Sequence, residues 1–277
     1  MPVHDELGVR MKTFYEQIPK TRLMRRTPVA IRIDGKAFHT FTRGFQKPFD
    51  EVLVKSMQDT MKYLCENIQG CVLGYTQSDE ITLVLVDYKN LDSAAWFDYE
   101  VQKMCSIAAS MATMVFNKAF AKNAGKEIIE FYDAWNITDQ EKKYIATLSN
   151  AIDKGAMFDA RVFNIPKEEV TNLIYWRQLD ATRNSIQMVG QANFSHGELQ
   201  NKSCNMIQDM LHEQKGINWN DCPTHLKRGS CCIKEEYIAS GEGDKLFDLR
   251  TRWIIDKEIP QFKGEGREYI EKLINFE

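Results

Sequence analysis

The stretch PVAIRIDGKAFHTFTRGFQKPFD, residues 28–50, begins as a strand and stops being one at Asp34-Gly35. PVAIRI (28–33) alternates apolar and polar positions and closes on a β-branched residue, the pattern of a central strand. Further on, Asp50 is placed as a helix N-cap and Phe49 as a staple onto Val54. Val54, Met57, Met61, Leu64 and Ile68 then recur at three- and four-residue spacing, which marks an amphipathic helix. CVLGYTQ (71–77) and ITLVLVDY (81–88) flank a turn at Ser78-Asp79-Glu80 and read as a hairpin. A long helix carries Phe97, Val101, Met104, Ala108, Met111 and Val115 on one face, and FDARVFNIP (158–166) is a fourth strand closed by Pro166. The order β-α-β-β-α-β is that of a ferredoxin-like α+β sandwich. In that arrangement the first and third strands are antiparallel neighbours at the sheet centre, with both helices on one face. Asp34, which closes the first strand, then meets Asp79, which opens the third.

Beyond the fourth strand the chain reads as mainly helical, with one helix over Glu168–Ala192 that holds IYWRQLDATRN and another amphipathic stretch over His196–Gln214. KRGSCCIKEE (227–236) is a strand, and RWIIDKEIPQF (252–262) a strand or extended piece. Residues 125–156 are polar and partly helical, an insertion before the fourth strand. No repeat, low-complexity tract or linker divides the chain, so we expect one main domain over 1–240 and a C-terminal extension over 241–277.

With 43% hydrophobic and 11% aromatic residues, 277 residues can fill a sizeable core. The net charge of −3 and the pI near 6.0 leave any nucleic-acid contact to local basic patches. The longest apolar run, MCSIAASMATMVFN (104–117), is shorter than the roughly 20 residues a membrane span needs, so no transmembrane helix is expected. The N-terminus lacks the apolar segment of a secretory signal, and a cytoplasmic protein is expected. The seven cysteines fall at irregular positions and read as reduced thiols. Cys222 and His225 have no second ligand pair that would make them a zinc site, and read as a surface loop. Cys231 and Cys232, adjacent in a strand, point to opposite faces.

Two carboxylates at adjoining strand ends repel each other and call for a cation. Mg²⁺ takes one or two carboxylates together with phosphate oxygens, and Gly35 leaves its carbonyl open and lets a phosphate approach the backbone. A pair of such ions suits in-line displacement at phosphorus, hence phosphoryl or nucleotidyl transfer. An Asp-Gly turn and a Ser-Asp-Glu hairpin tip are also ordinary turn chemistry, so the residues alone leave both readings open.

The blocks IRIDGKAFHTF (31–41), KPFD (47–50), GYTQSDEITLVL (74–85), FDARVF (158–163), YWRQLDATRNS (175–185) and THLKRGS (224–230) together resemble the tRNA-His guanylyltransferase superfamily, which includes template-dependent 3′-5′ polymerases. The resemblance implies a polymerase-palm catalytic domain in which Asp34 and Asp79, with the Gly35 carbonyl, hold two Mg²⁺ ions and Glu80 is a supporting catalytic acid. It implies a nucleotide site of Asp34, Gly35, Lys36, Ala37, Phe38, His39, Lys47, Asp50, Ser78 and Asp79, with Lys103 as a further phosphate contact. It also implies GTP and ATP as substrates and tRNA as partner. A tRNA 5′-phosphate would be activated by ATP or GTP, and the 3′-hydroxyl of an incoming nucleotide would then attack it. Bases for RNA are Arg25, Arg26, Arg161, Arg177, Lys227 and Arg228, with Asn184 beside them and Lys20 and Arg22 in the same run as Arg25. A homotetramer follows by analogy with the family. Enzymes that add one G to tRNA-His carry His-Ile-Asn-Asn where this chain has Thr182, Arg183, Asn184 and Ser185. That departure resembles the branch that repairs tRNA 5′ ends, with strict tRNA-His guanylylation as the alternative. A palm-type nucleotide cyclase and a non-catalytic RNA-binding protein are the competing classes.

Overall fold

The structure, a computed structural model, describes residues 6–133, 136–240 and 247–275. Parts of the expected insertion (134–135) and of the expected C-terminal extension (241–246, 276–277) lie outside the described residues. The strands are β1 (Val29–Gly35), β2 (Cys71–Gln77), β3 (Glu80–Leu85), β4 (Phe158–Asn164), β5 (Ser230–Ser240) and β6 (Phe247–Asp256). They form one six-stranded sheet in the order β4-β1-β3-β2-β5-β6, every pairing antiparallel. As expected, β1 and β3 are neighbours inside the sheet. Two segments depart from the sequence reading: 227–228 are helical, so β5 starts only at Ser230, and β6 starts earlier than expected, at Phe247, and ends at Asp256, leaving 257–262 as non-strand chain that buries Ile259 and Phe262.

The helices, in chain order, are α1 (Glu6–Met11), α2 (Phe38–Phe41), α3 (Glu51–Asn67), α4 (Val101–Asp133), α5 (Asp139–Lys154), α6 (Lys167–Asn193), α7 (His196–Leu199), α8 (Cys204–Lys215), α9 (Thr224–Arg228) and α10 (Glu268–Ile274). Strand alternation sends side chains to two faces, and both are covered. Val29, Ile31, Ile33, Ile81, Leu83 and Leu85 pack with Met57, Met61 and Leu64 of α3 and with Met104, Ala108, Phe116 and Phe120 of α4. Ala30, Leu73, Tyr75 and Val84 pack on the opposite face with Val170 and Ile174 of α6 and Ile270 and Ile274 of α10. Cys231 and Cys232 fall into these opposite clusters, and all seven cysteines are free thiols. A third cluster joins Ile186 and Val189 of α6 to Ile207 and Leu211 of α8 and to Trp219. Phe49 packs on this cluster.

The long helix departs from its expected face. Phe97 lies before it in a short turn with left-handed φ and is exposed, and the buried apolar positions are Met104, Ala108, Ala112, Phe116, Phe120 and Ala124. Four-residue steps overshoot the 3.6-residue turn, so this stripe winds slowly around the helix and leaves Met111 and Val115 half-buried. At 33 residues α4 is, by length and composition, long and apolar enough to cross a bilayer, unlike the short run weighed in the sequence; here its buried stripe packs on the sheet as a core helix does. The insertion consists of the end of α4 and of α5, which opens with a Thr138/Glu141 capping box and buries Tyr144, Ile145, Leu148 and Ala151. The stretch 196–214 is two helices, broken before the Ser203 N-cap of α8.

Candidate active site

The β1–β3 register sets Asp34 opposite Glu80, and the β1–β4 register sets it opposite Asp159. One residue on, the Gly35 amide donates to the Asp79 carbonyl at 3.1 Å. Ser78 and Asp79 form a two-residue hairpin turn in which Ser78 takes φ +50°, and the Ser78 hydroxyl donates to Asp79 Oδ1 at 3.0 Å. Burial pushes the Asp79 carboxyl above the usual range, the Ser78 bond pulls it down, and the charge of Asp34 pushes it up again. The two acids therefore lie in each other's field at one sheet edge. A Cβ on Gly35 would stand 2.2 Å from the Phe38 ring, so only glycine fits here. Among the described residues no group of three or more His, Cys, Asp or Glu side chains forms a cage. Two carboxylates and an open backbone match the sparse protein ligation of Mg²⁺, which relies on substrate phosphates for the rest.

Glu80 is not part of that open edge. It is buried, and its Oε1 lies 2.7 Å from Arg177 Nε and 3.3 Å from Arg32 Nε. Neither Nε–H lies along a hydrogen-bond line, so these contacts are ionic. Arg177 also pairs with Asp180 at 2.8 Å, and the Trp176 ring lies under the guanidinium groups of both Arg32 and Arg177. Burial pushes the Glu80 carboxyl up, and Arg177 and Arg32 pull it down. Glu80, expected as a supporting catalytic acid, is thus a buried anchor beside the Asp34–Asp79 edge, and Arg177, expected to contact RNA, is its buried counterion.

A cavity of about 540 Å³ opens at the same edge, lined by Gly35, Ala37, Phe38, His39, Lys47, Asp50, Ser78 and Asp79 among others. Most of the expected nucleotide residues therefore converge. Asp34 and Lys36 flank Gly35 without lining the wall, and the Lys36 amide instead donates to Met157 O at 2.9 Å. Ala37 and Ser78, both with left-handed φ, are strained non-glycine positions on this wall. Phe38 is a core residue: its ring packs on Phe41, Phe116 and Phe158 at 5.1–5.6 Å and fixes the loop from below. Asp50 is also engaged. Its Oδ1 accepts from Leu53 N at 3.0 Å, and its Oδ2 accepts from Gln46 N at 3.0 Å and from the Tyr144 hydroxyl at 2.8 Å.

Lys103 does not join them. It sits at the start of α4 over the Phe97 ring, whereas α4 reaches the site end of the sheet near Asn117, which bonds Ala156 beside β4. Fourteen residues of helix separate the two by about 21 Å. Arg25 and Arg26 are exposed at that far end too, where the Arg25 side chain and the Arg26 amide both bond Asp87; in the same region Arg22 pairs with Asp98, and Lys20 pairs with Glu16. Arg161 is exposed beside Asp159, and Arg228 is half-buried with its carbonyl held by Tyr75. Lys227 is buried, donates to the Asn220 carbonyl and lies over Trp219, so it is a structural residue and not an RNA contact. Asn184 is half-buried on α6, 3.5 Å from Asp180. Cys222 packs on the third cluster. Reading the sequence missed Arg32, Asp180 and Tyr144. The three-residue spacing of Arg177, Asp180 and Arg183 was a usable ion-pair signal, whereas Tyr144 carries none.

The family model for tRNA-His guanylyltransferase matches residues 8–166. A solved structure of a bacterial tRNA-His guanylyltransferase-like protein in complex with ATP is 39% identical, with a TM-score of 0.78, covering 98% of this chain and 100% of that one. Its counterpart in complex with GTP is 38% identical with a TM-score of 0.74 over the same shares of the two chains. The tRNA-His guanylyltransferase of Debaryomyces hansenii is 25% identical over 237 residues, 81% of this chain and 79% of that protein. These matches place the chain among the tRNA nucleotidyltransferases. The chain belongs to the tRNA-His guanylyltransferase family.

Proposed function

We propose that the chain is a Mg²⁺-dependent 3′-5′ nucleotidyltransferase that adds nucleotides to a tRNA 5′ end after ATP or GTP activates the 5′-phosphate, in templated end repair. The observation that carries this is the meeting of Asp34, Asp79 and the bare Gly35 at a sheet edge that opens into the loop cavity. The strand order β4-β1-β3-β2, all antiparallel, supports the ferredoxin-like palm reading of this frame. Asp34, Asp79 and the Gly35 carbonyl would hold the ions, which supply an activated hydroxyl and a neutralised leaving oxygen. The protein's own part is positional: Lys47 and the loop Gly35–His39 line the cavity for an anionic phosphate chain, and the Phe38 anchor keeps that loop in place. The ATP and GTP complexes of the bacterial relative support the choice of nucleotides. Thr182 and Arg183, where single-G enzymes carry His-Ile, favour repair over strict tRNA-His guanylylation.

A homotetramer and a cytoplasmic location belong to the same proposal; exposed Leu7, Phe14, Tyr15 and Ile18 near the N-terminus support an assembled state. The test is incorporation of labelled GTP, with ATP and Mg²⁺, into a tRNA lacking its first 5′ nucleotide and into full-length tRNA-His. Templated addition to the truncated tRNA is expected. Asp34→Ala and Asp79→Ala should each abolish it without unfolding the protein. Preferred non-templated addition to full-length tRNA-His would overturn the repair reading, and activity retained in either variant would remove the two-metal assignment.

A further inference from the structure

We propose that the half-exposed ring of Trp176, with the strip of sheet beside it, is the platform on which the terminal base pair of an RNA acceptor stem stacks. The inference rests on the nucleotidyl-transfer reading and assigns the place of the polynucleotide, as distinct from that of the free nucleotide. β4 is the edge strand, and its Phe158, Ala160 and Val162 pack on the α4 side, so Asp159 and Arg161 point to the α6 side. There Arg161 stands opposite Arg32 in register, and Arg32 shares its strand face with Asp34. α6 borders this strip through Trp176, whose ring meets the Arg32 guanidinium. Trp176 and Leu179 are each 50% exposed and, three residues apart on α6, face the same way. Neither they nor Arg161 line the loop cavity, so the strip and the cavity approach the Asp34–Asp79 edge from different sides.

The ring is held from one side only. Arg177 and Arg32 lie 4.3 and 5.5 Å from its centre. Both of their Nε atoms are within 3.3 Å of a single oxygen, Glu80 Oε1, too close together for a ring to stand between them, because groups on opposite faces of one ring are about 7 Å apart. The two cations therefore share one face of the indole and leave the other open. The buried Glu80 cluster fixes both of them, which makes the ring a rigid platform. Bases of every kind stack on such a ring, and the end of a stem presents a flat, unstacked pair of them. Leu179 extends the apolar surface by one helical turn. Arg161 and Arg183, with side chains 58% and 61% exposed, each pair with one carboxylate, Asp159 and Asp180. A guanidinium has five donors, so both keep donors for the phosphates that flank a stacked base. Asp34 lies two residues beyond Arg32, about 7 Å along the strand, so a base stacked on Trp176 brings its 5′-phosphate to the carboxylate edge.

The test compares the wild-type protein, Trp176→Ala and Trp176→Phe in binding a tRNA that lacks its first 5′ nucleotide, over a salt series, and in calorimetric titration with nucleoside triphosphates and Mg²⁺. Trp176→Ala should weaken tRNA binding about tenfold, the scale of one lost base–aromatic stack. The slope of log K against log salt should stay unchanged, because no phosphate contact is removed. Affinity for nucleoside triphosphates should stay at the wild-type value, whereas a structural role for Trp176 would lower both affinities together. Trp176→Phe keeps a flat ring and should retain most of the tRNA affinity. The wild-type protein supplies a second readout that stands if Trp176→Ala does not fold: the same tRNA with 5-iodouracil as its 5′-terminal base should photo-crosslink to Trp176. Unchanged tRNA affinity in Trp176→Ala, an equal loss for nucleoside triphosphates, or crosslinks that avoid Trp176 overturn the proposal. A smaller assembly of Trp176→Ala in sedimentation would assign this face to a second copy of the chain, and overturn it too. A wild-type protein that crosslinks the tRNA at Trp176 but incorporates no nucleotide would refute the transfer reading alone.

Discussion

Glu80, the first residue of β3, sits across from Asp34 and is enclosed by Arg32 and Arg177. Its neighbour Asp79 lines the cavity. Adjacent acids therefore have different tasks, and the difference comes from which positive groups the fold brings to each. Removing one partner of a buried ion pair leaves an uncompensated charge, so Arg177→Met should cost about 3–5 kcal/mol in urea unfolding. Glu80→Gln in the same chain should restore part of it. Burial already holds the Glu80 carboxyl above the ordinary carboxylate range, and Arg177 is the larger of the two counteracting charges. Without it the folded-state value rises further. The deficit of Arg177→Met should then be full at neutral pH and shrink as pH falls through that raised value, where Glu80 takes up a proton. A deficit independent of pH would mean that Arg177 acts by packing alone.

At the scale of elements, α5 has a role that its polar, insertion-like sequence does not announce. Its buried Tyr144 donates to the carboxylate of Asp50, which in turn caps α3 through Leu53 and fixes the loop at the cavity wall through Gln46. A helix outside the sheet thus braces the wall of the cavity. Tyr144→Phe removes one charge-assisted bond and should lower stability by about 1–2 kcal/mol. Because the bond positions the loop and touches no reacting atom, KM for the activating nucleotide should rise several-fold with kcat nearly unchanged. Initial-rate kinetics check this, and an equal fall in kcat would place Tyr144 in the chemistry instead.

At the scale of the molecule, the exposed arginines expected to contact RNA divide between the two ends of the sheet. Arg161 lies on β4 near the carboxylate edge, while Arg22, Arg25 and Arg26 lie at the other end with Asp87 and Asp98. With a net charge of −3, RNA affinity must come from such local groups. Arg161→Ala should weaken tRNA binding evenly across sequences and lower the slope of log K against log salt by about one. Lys227→Met, by contrast, should reduce stability and leave that slope unchanged, because its ammonium is spent on the Asn220 carbonyl. Filter binding over a salt series distinguishes the two.

Local sequence determined the elements around the site. Strand alternation in 28–33, the apolar run that makes β3 up to Leu85, the Asp50 cap and the turn at Ser78-Asp79 act over a few residues, so they are readable without a fold, and β1 and β3 pair as the element order suggested. Gly35 was readable in the same local way, whereas Ala37 and Lys47 were expected at a nucleotide site only from the family resemblance; all three line the cavity. Tertiary structure alone decided what surrounds them. Arg177 and Lys227 look like free bases in sequence, but long-range packing buries them, and buried charge must be paired. The joining of β6 and α10 to the sheet and the brace from Tyr144 depend on contacts between residues far apart in the chain, and no local pattern encodes which distant groups will meet.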